Sequence, residues 1–350
     1  MRPVFHPLRV AAVERLCDDA VAVTFAVPDE LRAAYAFRAG QSLTLRRTID
    51  GREERRSYSI CAPVGAEPRI GVREIPAGMF SSWLVHDVRP GATIEVQAPT
   101  GAWDADPARG ERHLCIAAGS GITPLLSIAG TVLQHPAAQV SLLYGNRTSR
   151  TVMFADEIGD LKNRYGPRLQ VVHVLSREPR DAALLSGRLD RERLRRLLSD
   201  LVPVEAFDHV WLCGPHPMIE DARAVLTDAG VPPDRVHVEL FYVDAPPPEP
   251  RRTTAVVGET TRLTTVLDGR RATATVPRDS TLLDATRATT GNAPFACKGG
   301  VCGTCRARVR EGVADMRRNY ALEPSEVAAG FVLTCQTFPV SDAVTVDFDA

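Results

Sequence analysis

Residues 114–133 read LCIAAGSGITPLLSIAGTVL, an apolar run of 20 residues without a formal charge. Its length fits a membrane span. Its centre does not, because Gly119-Ser-Gly121-Ile-Thr-Pro124 divides the run into a strand-like half, a small-residue turn and a helix-like half. A strand buried on both faces of a parallel sheet is itself a continuous apolar run. The stretch therefore reads as strand, glycine-rich turn and helix, a unit that can bring a helix N-terminus up to a pyrophosphate. The same alternation continues downstream. VSLLYG (140–145), LQVVHVLS (169–176) and VWLCG (210–214) read as buried strands, and MFADEIGDLKNRY (153–165), RERLRRLL (191–198) and MIEDARAVLTDAG (218–230) as helices. This predicts an α/β domain with a parallel sheet over 109–244.

Upstream the rhythm differs. AVAVTFAV (20–27), QSLTLRR (41–47), RSYSI (56–60), RIGVREI (69–75) and ATIEVQAP (92–99) are short strand-like runs between Gly and Pro turns, which predicts an antiparallel β-barrel over 1–108. DAPPPEP (244–250) predicts a Pro-rich linker, assigned to 245–252. Strands return after it, with helices expected at 280–291, capped by Asp279 or Ser280, and at 323–330, giving a small α+β domain over 253–350. The chain has 350 residues, enough for several cores, with 44% hydrophobic and 24% charged residues and a net charge of −1. That balance offers no basic groove for nucleic acid. Arg2, Arg9, Glu14 and Arg15 interrupt any signal-peptide core, so a cytoplasmic location is expected, with no membrane partner.

The cysteines carry a more specific signal. Cys302 follows Cys297 after four residues, Cys305 follows after two more, and Cys335 after a further 29. This is the plant-type 2Fe–2S spacing, within a loop, ACKGGVCGTC (296–305), whose glycines allow amides to turn toward sulfur. A structural zinc site is the alternative, but zinc ribbons use two separated C-x2-C pairs and only one is present. Two further segments bear on cofactor binding. Cys213-Gly214-Pro215-His216-Pro-Met218 lies at a second strand-to-helix switch, where flat ligands approach. Arg56-Ser57-Tyr58-Ser59, with Gly78-Met79-Phe80-Ser81-Ser-Trp83, offers a guanidinium, hydroxyls and an aromatic ring for a pyrophosphate and a ring system. His209 and His216 are read as structural.

Together these motifs resemble the ferredoxin–NADP reductase superfamily with a plant-type, β-grasp ferredoxin domain fused at the C-terminus. The resemblance implies that Arg56 and Ser57 meet the FAD pyrophosphate, that Tyr58 and Ser59 meet its isoalloxazine, and that Arg73, Gly78, Met79, Phe80 and Ser81 complete the flavin site. It places Gly119, Gly121, Ile122 and Thr123 on the nicotinamide nucleotide, and Cys213, Gly214 and Pro215 beside the nicotinamide. Tyr58, Ser59 and Cys213 are the implied catalytic residues. Ser176-Arg177, assisted by Arg147, matches the 2′-phosphate contact of NADP-dependent relatives, so NADPH is expected over NADH. Within the superfamily the chain is similar to reductase components of bacterial multicomponent oxygenases. YGNRTSRTVMF (144–154), LLSGRLD (184–190), CGPHPMIEDA (213–222) and MRRNYALEPSEVAAGFVLTCQT (316–337) resemble the reductase subunits of phenylacetyl-CoA epoxidase systems. The implied route runs from NADPH through FAD and the cluster to a di-iron oxygenase in aromatic degradation. A steroid or ring hydroxylase reductase, or a non-catalytic electron-transfer subunit, are the alternatives. The nucleotide motifs argue against the last.

Overall fold

The computed structural model describes residues 4–241 and 258–350, apart from residues 50, 51, 77, 102, 104, 107, 292 and 323. The expected Pro-rich linker lies outside the described residues. The chain divides into two compact units, one of Phe5–Leu45 with Tyr58–Glu239, the other of Met1–Val4, Arg46–Ser57 and Leu240–Ala350.

The first sheet is built from β1 (Phe5–Cys17), β2 (Ala20–Ala26), β3 (Ser42–Ile49), β4 (Arg52–Ser59), β5 (Arg69–Arg73) and β6 (Thr93–Gln97), in the order β4-β3-β6-β1-β2-β5. A bridge between Ile60 and Ile70 joins the two ends and closes the barrel. Helix α1 (Arg32–Tyr35) and helix α2 (Met79–His86) lie between strands. Leu8, Val10, Phe25, Leu43, Leu45, Ile70 and Val96 are fully buried in its interior.

The second sheet contains β7 (Arg112–Ala118), β8 (Gln139–Asn146), β9 (Leu169–Leu175), β10 (His209–Cys213) and β11 (Val236–Glu239), in the order β11-β10-β7-β8-β9, and the pairs are parallel. The helices are α3 (Ile122–Val132), α4 (Ala155–Tyr165), α5 (Arg191–Asp200) and α6 (His216–Asp228). Leu114–Leu133 is therefore β7, its turn and α3, and every residue of α3 is buried. Among the described residues no helix is long and apolar enough to cross a membrane.

The last sheet holds β12 (Thr260–Leu267), β13 (Arg270–Pro277), β14 (Arg306–Glu311), β16 (Phe331–Leu333) and β18 (Ala343–Asp347), in the order β13-β12-β18-β14-β16, while β15 (Ala314–Met316) pairs with β17 (Thr337–Pro339). Helices α7 (Leu282–Thr290) and α8 (Pro324–Ala328) complete it. Neither Asp279 nor Ser280 caps α7: Thr281 does, its hydroxyl accepting the Asp284 N–H at 3.1 Å. A cap must sit one residue before the first helical one, and the helix begins at Leu282. Adjacent leucines on α7 then serve two cores. Leu282 packs with Leu263, Val344 and Val346 of the sheet, and Leu283 with Phe295, Cys305, Leu333 and Cys335 around the cysteine loop.

Candidate active site

The parallel sheet creates the first half of the site. From β7 the chain moves outward through β8 to β9, then returns to lay β10 on the other side of β7. The turns after β7 and β10 thus flank a topological switch point, where open α/β sheets bind ligands. These turns are the two glycine motifs. A Cβ on Gly121 would lie 2.0 Å from the Cys213 carbonyl oxygen, so only glycine lets the turns touch. Gly214 is confined more softly, its would-be Cβ 2.6 Å from the movable Met218 Cε methyl and 3.2 Å from the Ala118 amide nitrogen. Ile122 and Thr123 are buried in the first turn of α3, and the Thr123 hydroxyl donates to Ser120 O at 3.0 Å. They shape the turn from inside. Pro215 precedes α6 as its N-cap residue.

The second half comes from β4. Ser59 is buried and its Oγ donates to Glu239 Oε2 at 3.2 Å. Glu239 ends β11 and stands opposite Cys213 in the register of β10. Burial pushes the Glu239 carboxyl up to about 8, against the opposing pull of Ser59. Burial, then the Glu239 charge, raises the Cys213 thiol well above its ordinary value. Cys213 is therefore a neutral thiol, suited to packing against a ring and unsuited to nucleophilic attack. Three polar groups from three strands converge here. Ser59 and Cys213 are legible in their motifs, whereas Glu239 is not. Its one signal is an acid closing a short strand of alternating valines, VHVE.

Tyr58 lies next to Ser59 on β4, with its ring 6.3 Å from that of Phe80, which meets Trp83 edge-on at 5.5 Å. Gly78 is the N-cap residue of α2, and Ser81 Oγ closes the turn by accepting the Ile75 N–H at 3.1 Å and donating to Gly78 O at 3.2 Å. Met79 is exposed beside it. No side chain caps α2 at this turn, and the N-terminus of a helix is where a diphosphate can meet backbone amides. Arg56 pairs with Glu54 at 3.1 Å. Arg73 sits apart from β4, near Gly119, paired with Asp19 at 3.2 Å and donating to Thr151 O.

At the ends of β8 and β9 the backbone aligns the residues expected to choose the nucleotide. Ser176 N–H donates to Asn146 O at 2.8 Å and Arg177 N–H to Arg147 O at 2.7 Å. The Arg177 side chain is exposed, while Arg147 binds Asp19 at 2.7 Å. Glu178 accepts the N–H and hydroxyl of Ser149 at 2.8 and 2.9 Å.

The cysteine loop is shaped by three residues at positive φ, Lys298, Gly300 and Gly303. That curl turns the Gly299 amide onto Cys297 Sγ at 3.3 Å. The Cys302 thiol and the amides of Val301, Gly299 and Cys302 hold the Cys297 thiol down to about 6, against burial. The thiols influence one another as two neighbouring pairs, Cys297 with Cys302 and Cys305 with Cys335, while the Cys302 thiol donates to Thr304 Oγ1 at 3.2 Å. Among the described residues no three metal-ligating side chains converge on one point. Two pairs suit a cluster of two metals, each taking two thiolates, and amides aimed at sulfur suit its negative charge. Thr334 ties the Cys335 segment to Cys305 through its hydroxyl on Cys305 O at 2.9 Å, and Gln336 Nε2 reaches the Cys297 side of the loop at Lys298 O, 2.7 Å away.

Comparison with known proteins agrees with this geometry. Family models match for an oxidoreductase FAD-binding domain at 7–104, an oxidoreductase NAD-binding domain at 115–224 and a 2Fe-2S iron-sulfur cluster binding domain at 265–340. The chain is 44% identical to a subunit of the 1,2-phenylacetyl-CoA epoxidase of Escherichia coli (strain K12), over 99% of this chain and 98% of that one. It belongs to the ferredoxin reductase-type oxygenase reductases. This reductase is also 33% identical to the ferredoxin reductase component of 3-ketosteroid-9-alpha-monooxygenase from Rhodococcus rhodochrous, over 97% and 96% of the two chains. Its fold matches that of phthalate dioxygenase reductase with a TM-score of 0.62 at 23% identity, covering 98% of each. The reductase is thus an oxidoreductase that passes electrons from a pyridine nucleotide through FAD and a 2Fe–2S cluster to an oxygenase.

Proposed function

We propose that this reductase draws its electrons from NADPH and delivers them to a di-iron oxygenase of the phenylacetyl-CoA epoxidase kind, in the cytoplasm. The observation that carries the reading is the meeting of the Gly119–Gly121 and Cys213–Pro215 turns at the switch point, with Ser59 and Glu239 against them. FAD, when bound, takes a hydride and gives up single electrons, which the cluster carries onward. The chain's own residues bind and orient. Arg56, Ser57 and the Gly78–Ser81 turn hold the flavin, with Tyr58 and Ser59 at its ring system, and Arg73 lies on the cofactor side near Gly119. Gly119, Gly121, Ile122 and Thr123 form the pyrophosphate turn. Cys213, Gly214 and Pro215 wall the nicotinamide, and Cys213 stays protonated there. Cys297, Cys302, Cys305 and Cys335 ligate the cluster. The domains are assigned as 1–108, 109–244 and 253–350, with a linker over 245–252.

Arg177 supports NADPH, since an exposed guanidinium can grip a phosphate bidentately. The oxygenase assignment rests on the 44% identity to the epoxidase component, and a steroid hydroxylase is the second reading, at 33%. All eight cysteines are free, which suits a reducing compartment. An anaerobic titration of the holoprotein with each nucleotide tests the donor. NADPH is expected to bleach the flavin and cluster absorbance at lower concentration than NADH. Arg177→Ala should weaken NADPH about tenfold, as for loss of a charge-assisted hydrogen bond, with little effect on NADH. Equal losses for both nucleotides would remove the case for NADPH.

A further inference from the structure

Asp18 and Asp19 form the two-residue turn between β1 and β2, since Cys17 pairs directly with Ala20. Asp19 is the more engaged of the two. Its Oδ2 accepts Arg147 Nη2 at 2.7 Å, and its Oδ1 lies 3.2 Å from both Arg73 Nε and Cys17 Sγ. Burial works to raise its pKa, but Cys17, Arg73 and Arg147 together hold the carboxyl below its ordinary value, so it is a fixed negative charge. A second, exposed pair joins Asp18 to Arg150 at 3.3 Å. The barrel turn thus takes hold of the segment Arg147–Thr151, which begins where β8 ends. Arg147 is the backbone neighbour of Arg177, whose N–H donates to the Arg147 carbonyl at 2.7 Å.

We infer that Asp19 is a specificity-setting residue that restrains Arg147 and so weakens the grip of this rim on a 2′-phosphate. The inference rests on the reading that Arg147 and Arg177 meet that phosphate. Asp19 acts through Arg147 in two ways. It occupies one arm of the guanidinium fork, and it places a negative charge 2.7 Å from the guanidinium that would meet the dianion. The rim then has one arginine ready and one held back, which tempers its preference for the phosphorylated nucleotide without abolishing it. Arg73, bound to the same carboxylate, keeps Asp19 from turning away.

Equilibrium titration calorimetry on the holoprotein tests this with 2′,5′-ADP and 5′-AMP, which differ by the 2′-phosphate alone. Asp19→Asn should tighten 2′,5′-ADP roughly three- to tenfold, the size expected for removing one screened charge near a dianion. Binding of 5′-AMP should hold steady, and the ratio of the two cancels any general disturbance of the fold. Should Asp19→Asn not fold, Asp19→Ser removes the same charge. Arg147→Ala should weaken 2′,5′-ADP selectively, and in that background the Asp19 substitution should have no effect. If Arg147→Ala leaves 2′,5′-ADP unchanged, the reading of Arg147 fails and the inference falls with it. If Arg147→Ala weakens it but Asp19→Asn leaves it unchanged or weaker, the inference alone is overturned.

Discussion

Glu239 is protonated at neutral pH, because burial lifts its carboxyl to about 8. Glutamine copies the shape and neutrality of that protonated form. Glu239→Gln should therefore keep most NADPH-dependent ferricyanide reduction at pH 7. As pH rises through about 8 the native carboxyl ionises against the buried Cys213 thiol and Ser59 hydroxyl, and activity should fall. The variant has nothing to ionise and should lose that limb. A pH profile of Glu239→Gln that keeps the wild-type limb would assign it to another group. Ser59 and Cys213 are legible in the sequence because each sits in a recognisable run. Glu239 sits in none, and only the pairing of β10 with β11 puts it opposite Cys213.

The strands β7, β10 and β11 carry a feature that no single one of them announces. His113, His209 and His237 stand side by side near their N-terminal ends, with ring centroids 5.4 and 5.3 Å apart, and Trp211 stacks on His237 at 4.0 Å. An indole N–H can only donate, so His113 Nδ1 accepts it at 3.2 Å and the proton of the neutral ring sits on Nε2. Burial first, and then His209, depress His113 to about 4. Between that value and the ordinary 6.5 the unfolded chain binds the extra proton. Stability from His113 is fully present above about pH 6.5 and is lost as pH falls toward 4, by roughly 2 kcal/mol between pH 7 and pH 5. His237, also near 4 and partly exposed, adds in the same direction, while Glu239 slopes the opposite way. Urea unfolding followed by tryptophan fluorescence at both pH values isolates the term. His113→Gln should show a pH 5 to pH 7 difference smaller than wild type by that amount, and an unchanged difference would reject it. Strand β1 shows a different limit of sequence reading. It runs over 13 residues, yet bulges between Val10 and Ala12 and between Arg15 and Cys17 break the two-residue alternation that would reveal it.

Across the whole molecule, electrons pass from nucleotide to flavin to cluster, so damage at the end of the route should leave its beginning intact. Cys305→Ser removes one of the four thiols proposed to hold the cluster. The variant should lose the cluster absorbance and its cytochrome c reduction, yet still bleach its flavin with NADPH. Anaerobic stopped-flow spectra would show this directly. A variant with normal cytochrome c reduction but no flavin reduction would contradict that order.

The sequence by itself determined the main motifs that depend on neighbours along the chain, though not the cap of α7. The cysteine spacing at 297–305, the glycine turn at 119–121, the Cys213–Pro215 switch and the RSYS strand each specify a local backbone shape that a few residues suffice to encode. The three-part division was legible for the same reason, since strand and helix periodicities change along the chain. Tertiary structure alone decided the long-range meetings. Ser59 reaches Glu239 across 180 positions, and Asp19 reaches Arg147 across 128. Those contacts follow from which side of β7 receives β10 and β11, and from how a two-residue barrel turn meets the end of β8. Strand order is a property of the packed core, where buried apolar faces set the register, and no short run of residues carries it.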